Sequence, residues 1–222
     1  MNLDFSIIFK YLPFLLQGAV LTIELAVLGI AIGIVIGLVA ALLKISHTPL
    51  RYIAHVYIWL IRGTPLLVQL FLIYFGLPQL GITLDAFSSS VIGLGINSGA
   101  YLAEVFRGGI EAIPKGQTEA SLSLGMGKFL TLRRIIFPQA LRIAIPSLGN
   151  QFIITLKDSS LCSVITMSEL LQTSQRFASV TYAPMELYTA AAVLYLLMTT
   201  VISGLLHSLE WRLSKENRAR GG

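Results

Sequence analysis

From Gln17 to Leu43 the chain carries a single charge, Glu24, in an otherwise apolar run. A bilayer's hydrocarbon core is about 30 Å thick and an α-helix rises about 1.5 Å per residue, so about 20 such residues cross it. Blocks of comparable length recur at Tyr52–Pro78, Ala86–Ile110, Pro146–Thr166 and Leu187–Leu209. Lipid offers nothing to backbone N–H and C=O groups, so a lone spanning segment has to be helical. The pattern predicts an all-α polytopic membrane protein with five transmembrane helices, a single domain over residues 1–222. Its 55% hydrophobic content and mean hydropathy of +0.78 fit that class and exceed what a soluble domain carries.

Charge sets the orientation. The net charge of +5 would suit a nucleic-acid partner only if the cations shared one soluble face. They sit instead between the apolar blocks: Lys44 and Arg51, then Arg107, Lys115, Lys128, Arg133, Arg134 and Arg142, then Arg212, Lys215, Arg218 and Arg220, which make twelve of the sixteen Lys and Arg. Lys10, Arg62, Lys157 and Arg176 fall elsewhere, and the loop around Asp85 has no cation. By the positive-inside rule the N-terminus is expected outside and the C-terminus inside, with the turn at His47, Thr48 and Pro49 cytoplasmic. No nucleic acid is expected as a partner. Cys162 is the only cysteine, which rules out an intrachain disulfide and a cysteine metal cluster. MNLDFSIIFK lacks the basic start and small-residue cleavage pattern of a secretory signal and is expected to stay on the mature protein.

The longest polar stretch, residues 113–138, lies among these apolar blocks and reads IPKGQTEASLSLGMGKFLTLRRIIFP. Pro114 suits a first helical turn, Gln117 to Leu124 are mostly good helix formers with Ala120 and Leu124 four apart, and Gly125 and Gly127 end the run. A helix of about three turns is predicted, too short and polar to cross a membrane and suited to lie at its surface. Two further local features stand out. Gly29, Gly33 and Gly37 recur every four residues and make a groove where another helix can approach, a generic helix contact. Pro65 denies Ile61 its helical hydrogen bond beside Gly63, so the second block is expected to kink or break there.

Glu119-Ala120-Ser121, Gly125 and then Ile135-Ile136-Phe137-Pro138 together resemble the Glu-Ala-Ala loop of permease subunits of ATP-binding cassette (ABC) importers. Ser121 stands for the family's second Ala and Phe137 for its usual Leu. Arg62-Gly63-Thr64-Pro65-Leu66-Leu67-Val68-Gln69 and Leu156-Lys157-Asp158-Ser159-Ser160-Leu161 are similar to runs in polar amino-acid permeases. The resemblance, from about Gln17 to Leu213, implies a type I importer fold in a bacterial inner or plasma membrane. Its loop would be a coupling helix, with Gln117, Glu119, Ala120, Leu124 and Gly125 meeting a cytoplasmic ATPase. It further implies a second permease subunit, identical or homologous, and an extracytoplasmic amino-acid-binding protein.

No ATP site is encoded: Phe129 follows Gly127-Lys128 and no glycine lies five residues before Gly127, so the phosphate-binding loop fails twice. ATP and Mg are expected on the partner ATPase, with no cofactor in this chain and no catalytic role of its own. His47, His55 and His207 form no metal-binding pair. Polar side chains inside the spans are the substrate-binding candidates, since lipid would leave them unsatisfied. Asn97, Tyr101 and Glu104 share one helical face, beside Ser98; Asn150 shares a stripe with Ile154 and with Lys157 or Asp158. Glu104 would bind a substrate ammonium or guanidinium, or else pair with Arg62, Arg107 or a helix end. If the fourth span opens at Pro146, Glu104 and Asp158 differ in depth by about 15 Å. Glu24 has no assigned partner. The acids favour a cationic amino acid such as arginine, lysine or histidine. An ion-gradient-driven transporter or a membrane scaffold are the alternatives.

Overall fold

The computed structural model describes residues 4–46 and 48–220, helical throughout apart from short turns. Met1, Asn2, Leu3 and His47, on which expectations above fell, lie outside the described residues, as do the tail side chains from Arg212 to Arg220. α1 runs from Ser6 to Ile45, starting well before the expected Gln17. The segment ahead of Gln17 is itself apolar, and Pro13 inside the helix removes one hydrogen bond without ending it.

α2 (Arg51–Arg62) ends at Gly63 and α3 (Leu66–Phe71) starts after Pro65, the pair bent by 104°. The expected break is therefore real. α3 loosens into a wide turn over Leu72–Gly76 and a tight one over Leu77–Leu80, and Gly81, at φ 84°, closes it in a conformation that glycine takes without strain. Asp85 then caps α4 (Ala86–Glu111) by accepting from the Ser88 N–H at 3.2 Å, and these hydrogen bonds hold its exposed carboxyl below the usual range.

α5 (Lys115–Ser123) is the expected short helix, trimmed at both ends: Pro114 caps it rather than sitting in its first turn, and Leu124 caps its other end. Gly125 ends it at φ 77°. α6 (Lys128–Thr131) passes through a wide turn, Leu132–Ile136, into α7 (Phe137–Asp158). Pro146 lies inside α7 and does not open it; Pro138 occupies the first turn, where a missing N–H costs nothing. A tight turn, Ser159–Ile165, leads to α8 (Leu170–Thr181), which Glu169 caps. α9 spans Pro184–Arg220.

α1 and Pro184–Ser208 of α9 are long and apolar enough to cross a bilayer, and the bent pair α2–α3 together would be a third. α4 and α7 have the length but are diluted by glycine and polar residues. The reason is their place: α4 packs against α1, α2, α3 and α7, and a helix surrounded by protein needs no lipid-facing side. The glycine groove makes this possible. A Cβ on Gly29, Gly33 or Gly37 would come within 2.8 Å of Leu94, 2.2 Å of Ser98 or 2.7 Å of Leu102, three successive turns of α4.

Near the α8 end, Glu169 is wholly buried. Its carboxylate accepts from the N–H groups of Leu171 and Gln172 at 3.0 and 2.7 Å and from the Tyr195 hydroxyl at 2.6 Å, tying α8 to α9. Thr22 of α1 joins the same group by accepting from the Leu170 N–H at 3.2 Å.

Candidate functional site: two joined hollows and a surface helix

The break after α2 frees backbone carbonyls inside the bundle, and such groups need donors. Gln69, one turn into α3, supplies them. Its Nε2 donates to the Ile61 carbonyl at 2.8 Å and to the Thr64 carbonyl and hydroxyl at 3.1 and 2.9 Å. Its Oε1 accepts from Asn97 Nδ2 of α4 at 3.0 Å. Arg62, the last residue of α2, lies over the Tyr101 ring at 5.3 Å from its centre.

Around these groups open two hollows of about 540 and 560 Å³. Asn97, Ile154 and Asp158 border the first, Glu104, Pro146 and Asn150 the second, and Arg62, Tyr101 and Gln151 border both. The hollows therefore meet at those three side chains. Either volume is ample for one amino acid. Asn97 and Gln151 are buried, whereas Tyr101 and Asn150 are open.

Five of the six expected pocket residues thus lie on the joined space, and Ser98 does not. It turns toward α1, is 1% exposed, and donates to the carbonyls of Gly29 and Gly95 at 3.4 and 3.3 Å. Adjacent residues of a helix point about 100° apart, so a neighbour of Asn97 faces the groove rather than the hollow. On α7 and the turn after it the lining of the first hollow is Gln151, Ile154, Asp158 and Leu161, so the expected stripe differs only in having Asn150 where Gln151 lines this hollow. Gln151 was legible as the residue three before Ile154 and seven before Asp158. Arg62 and Gln69 stand in the quoted motif, but only the folded break reveals what Gln69 does. Lys157 points outward, leaving Asp158 half-buried and, among the described residues, without a direct ionic partner.

Glu104 is engaged. Lys44, at the end of α1, donates to its Oε1, and Arg107 donates through Nε and Nη2 to its Oε2 at 3.0 and 2.8 Å. Arg107 Nη1 also binds Glu111. Of the partners weighed for Glu104, Arg107 is one and Arg62 is not; Lys44 was not foreseen. Glu104 and Asp158 border different hollows, and the expected depth difference, which assumed a span opening at Pro146, loses that premise because α7 starts at Phe137. Glu24 is exposed on α1.

Just beyond the C-terminal end of α4, Gln117, Glu119 and Ala120 of α5 and the Leu124 and Gly125 that follow it are all exposed. Leu124 is 83% and Phe129 74% exposed. Ser121 alone on α5 is buried, its hydroxyl donating to the Gln117 carbonyl at 2.7 Å, which makes it the inward contact of the helix. A cavity of about 920 Å³ lies under α5, bordered by Lys44, Arg107, Lys115 and Lys128. Among the described residues no cluster of His, Cys, Asp and Glu is suited to a metal ion.

Apolar outer helices, a polar interior hollow and a bare surface helix at one end define an integral membrane protein of the transport-subunit class. The chain belongs to the family of binding-protein-dependent transport system inner membrane components, whose model matches residues 33–215. The glutamine transport system permease protein GlnP of Escherichia coli K12 is 42% identical over 216 residues, covering 96% of this chain and 99% of that one. The arginine transport system permease protein ArtQ of Bacillus subtilis is 35% identical over 219 residues, covering 98% of this chain and all of its own. A crystal structure of an amino acid ABC transporter with histidines superposes with a TM-score of 0.90 at 45% identity, covering 96% of this chain and 100% of that chain. The inward-facing MetNI methionine ABC transporter, at 17% identity and a TM-score of 0.79, shares the fold. The family is a transport component, not a catalytic one.

Proposed function

We propose that this chain is the membrane subunit of an ATP-driven importer of polar amino acids, embedded in the bacterial plasma membrane by five spans with the N-terminus out. Two such subunits, identical or homologous, would enclose the path, served by separate ATPases and an external binding protein. The observation that carries the reading is α5, a short helix with apolar Leu124 and nearby Phe129 bare to the surroundings, on a chain with no nucleotide-binding motif of its own.

Further support comes from the hollows and from α1. Arg62 and Asp158 offer opposite charges of the kind that an amino acid's carboxylate and ammonium would meet. Asn97, Tyr101, Asn150 and Gln151 supply neutral hydrogen-bonding groups beside them. Exposed Glu24 within the apolar helix would cost about 2.5–3.5 kcal/mol against lipid, and a second subunit covering that face removes the cost. ATP and Mg belong to the ATPase, and no step here runs through them in this chain. A switch between outward and inward access then requires the ATPase to hold α5 differently in the two states. A cationic substrate, expected from Glu104 and Asp158, is the second reading; it needs an acid besides Asp158, and Glu104 is held by Lys44 and Arg107.

The test is uptake into proteoliposomes containing the complete complex and its binding protein. The reading expects amino-acid uptake that needs ATP and survives an uncoupler. Uptake that collapses with the ion gradient and ignores ATP would overturn it in favour of a secondary transporter.

A further inference from the structure

Arg62, Glu104 and Asp158 are the ionisable groups of fixed charge bordering the joined hollows among the described residues. Taken alone they give the site an excess of negative charge, which would suit a cationic guest. Glu104, however, is not available. Both its oxygens are already taken, Oε1 by Lys44 of α1 and Oε2 by Arg107 of its own helix, and both cations border the cavity under α5 rather than either hollow. Arg107 is in turn bound to Glu111. Lys44, Glu104, Arg107 and Glu111 therefore form a closed group of two cations and two anions that adds no charge to the hollow.

Resting on the amino-acid importer reading, we infer that Lys44 is a specificity-determining residue: by masking Glu104 it leaves Arg62 and Asp158 as a balanced pair, and the site selects amino acids with an uncharged polar side chain, such as glutamine, over cationic ones. Arg62 and Asp158 are matched by the two ends of the zwitterion. A guanidinium or ammonium side chain would then enter a hollow with no acid left to receive it, and a desolvated cation without a partner is disfavoured. The geometry also says which single change reverses this. Among the described residues Lys44 is the sole donor to Oε1, while Arg107 holds Oε2 with two hydrogen bonds, so removing Lys44 uncovers one oxygen of a carboxylate that Arg107 keeps in place.

The experiment is equilibrium binding of tritiated glutamine and tritiated arginine to the purified permease–ATPase complex in the absence of the binding protein, so that the filter upstream plays no part. The unaltered complex is expected to hold glutamine at least ten times more tightly than arginine. Lys44→Met is expected to lower that ratio ten-fold or more by gaining arginine affinity, Lys44→Arg to preserve it, and Glu104→Gln added to Lys44→Met to abolish the gain. A purely structural tie between α1 and α4 would weaken both ligands together and leave the ratio unmoved, and that result overturns the inference, as does equal binding of the two amino acids by the unaltered complex. If neither amino acid binds to a complex that still hydrolyses ATP, the amino-acid reading fails and the inference falls with it.

Discussion

Gln69→Leu removes the amide that bridges the α2–α3 break to α4 while keeping a side chain of similar bulk against the neighbouring core. Four hydrogen bonds disappear. Thr64 is exposed, so water or lipid headgroups can replace the two it loses. The Ile61 carbonyl and the Asn97 amide belong to residues 9% and 7% exposed and are left with little recourse. A buried polar group left unpaired costs about 1–3 kcal/mol, whereas paired deletions in membrane bundles average nearer about 0.6 kcal/mol. Two such groups bring the loss to about 2 kcal/mol. For a chain of this length that corresponds to a fall in Tm of about 4–8 °C, read from intrinsic fluorescence during heating of the detergent-purified complex. Asn97→Ala in the same background should add less than it does alone, because its partner is already gone. A Gln69→Leu complex that melts within about 1 °C of the unaltered one, or strictly additive losses in the pair, would refute the claim that this amide closes the break.

Other perturbations separate packing from coupling. Gly33→Ala places a methyl 2.2 Å from the Ser98 hydroxyl and should cost about 1–3 kcal/mol by forcing α1 from α4, whereas Gly108→Ala, which meets nothing within 4 Å, should be neutral or stabilising by a few tenths of a kcal/mol; melting temperatures of the two variants check the contrast. Glu119→Lys together with Gly125→Asp should leave membrane insertion intact, because both positions are exposed, and separate ATP hydrolysis from uptake in the reconstituted complex. Gly125 adds strain of its own there, since φ 77° is poorly tolerated by a residue with a Cβ.

Features governed by neighbours in sequence were legible before the fold was known. The apolar runs announced α1 and α9, Gly63 and Pro65 the break, the glycine period the α1–α4 contact, and Gly125 the end of the surface helix. What escaped depends on partners distant in the chain or on register. Lys44 and Glu104 meet across sixty residues, and no periodicity links them. Gln69 matters only because α2 and α3 fold at 104°, which brings the Ile61 carbonyl back to it. Placing the start of the fourth span at Pro146 rather than at Phe137 missed the part of α7 that precedes that proline. The choice of Asn150 over Gln151 on that helix was a one-residue difference, which placed the candidate on the second hollow only, whereas Gln151 borders both. Glu169, buried and uncompensated by any cation in direct contact among the described residues, gains its role from Thr22 and Tyr195, which are distant in the chain.

The position of α5 in the chain explains how a small surface helix can govern a polar interior. α4 ends at Glu111 and α5 begins at Lys115, so the helix carrying Asn97, Tyr101 and Glu104 is joined to the surface helix by three residues. On the other side α6 and the wide turn at Leu132–Ile136 lead directly into α7, the helix carrying Asn150, Gln151 and Asp158. Both walls of the hollows are thus tethered to one short lever. Near it the walls are also locked together: a Cβ on Gly109 of α4 would come within 2.8 Å of the Ala140 carbonyl of α7, and Ile113, Ile136 and Ala140 form a small core beside that contact. Packed interfaces of this kind shift as units rather than deform. In the proposed importer, a displacement of α5 by its ATPase would therefore move α4 and α7 together against α1. The glycine groove is smooth at that boundary, but the Lys44–Glu104 contact crosses it, so the same ion pair that sets the charge of the hollow also resists the motion that would expose it.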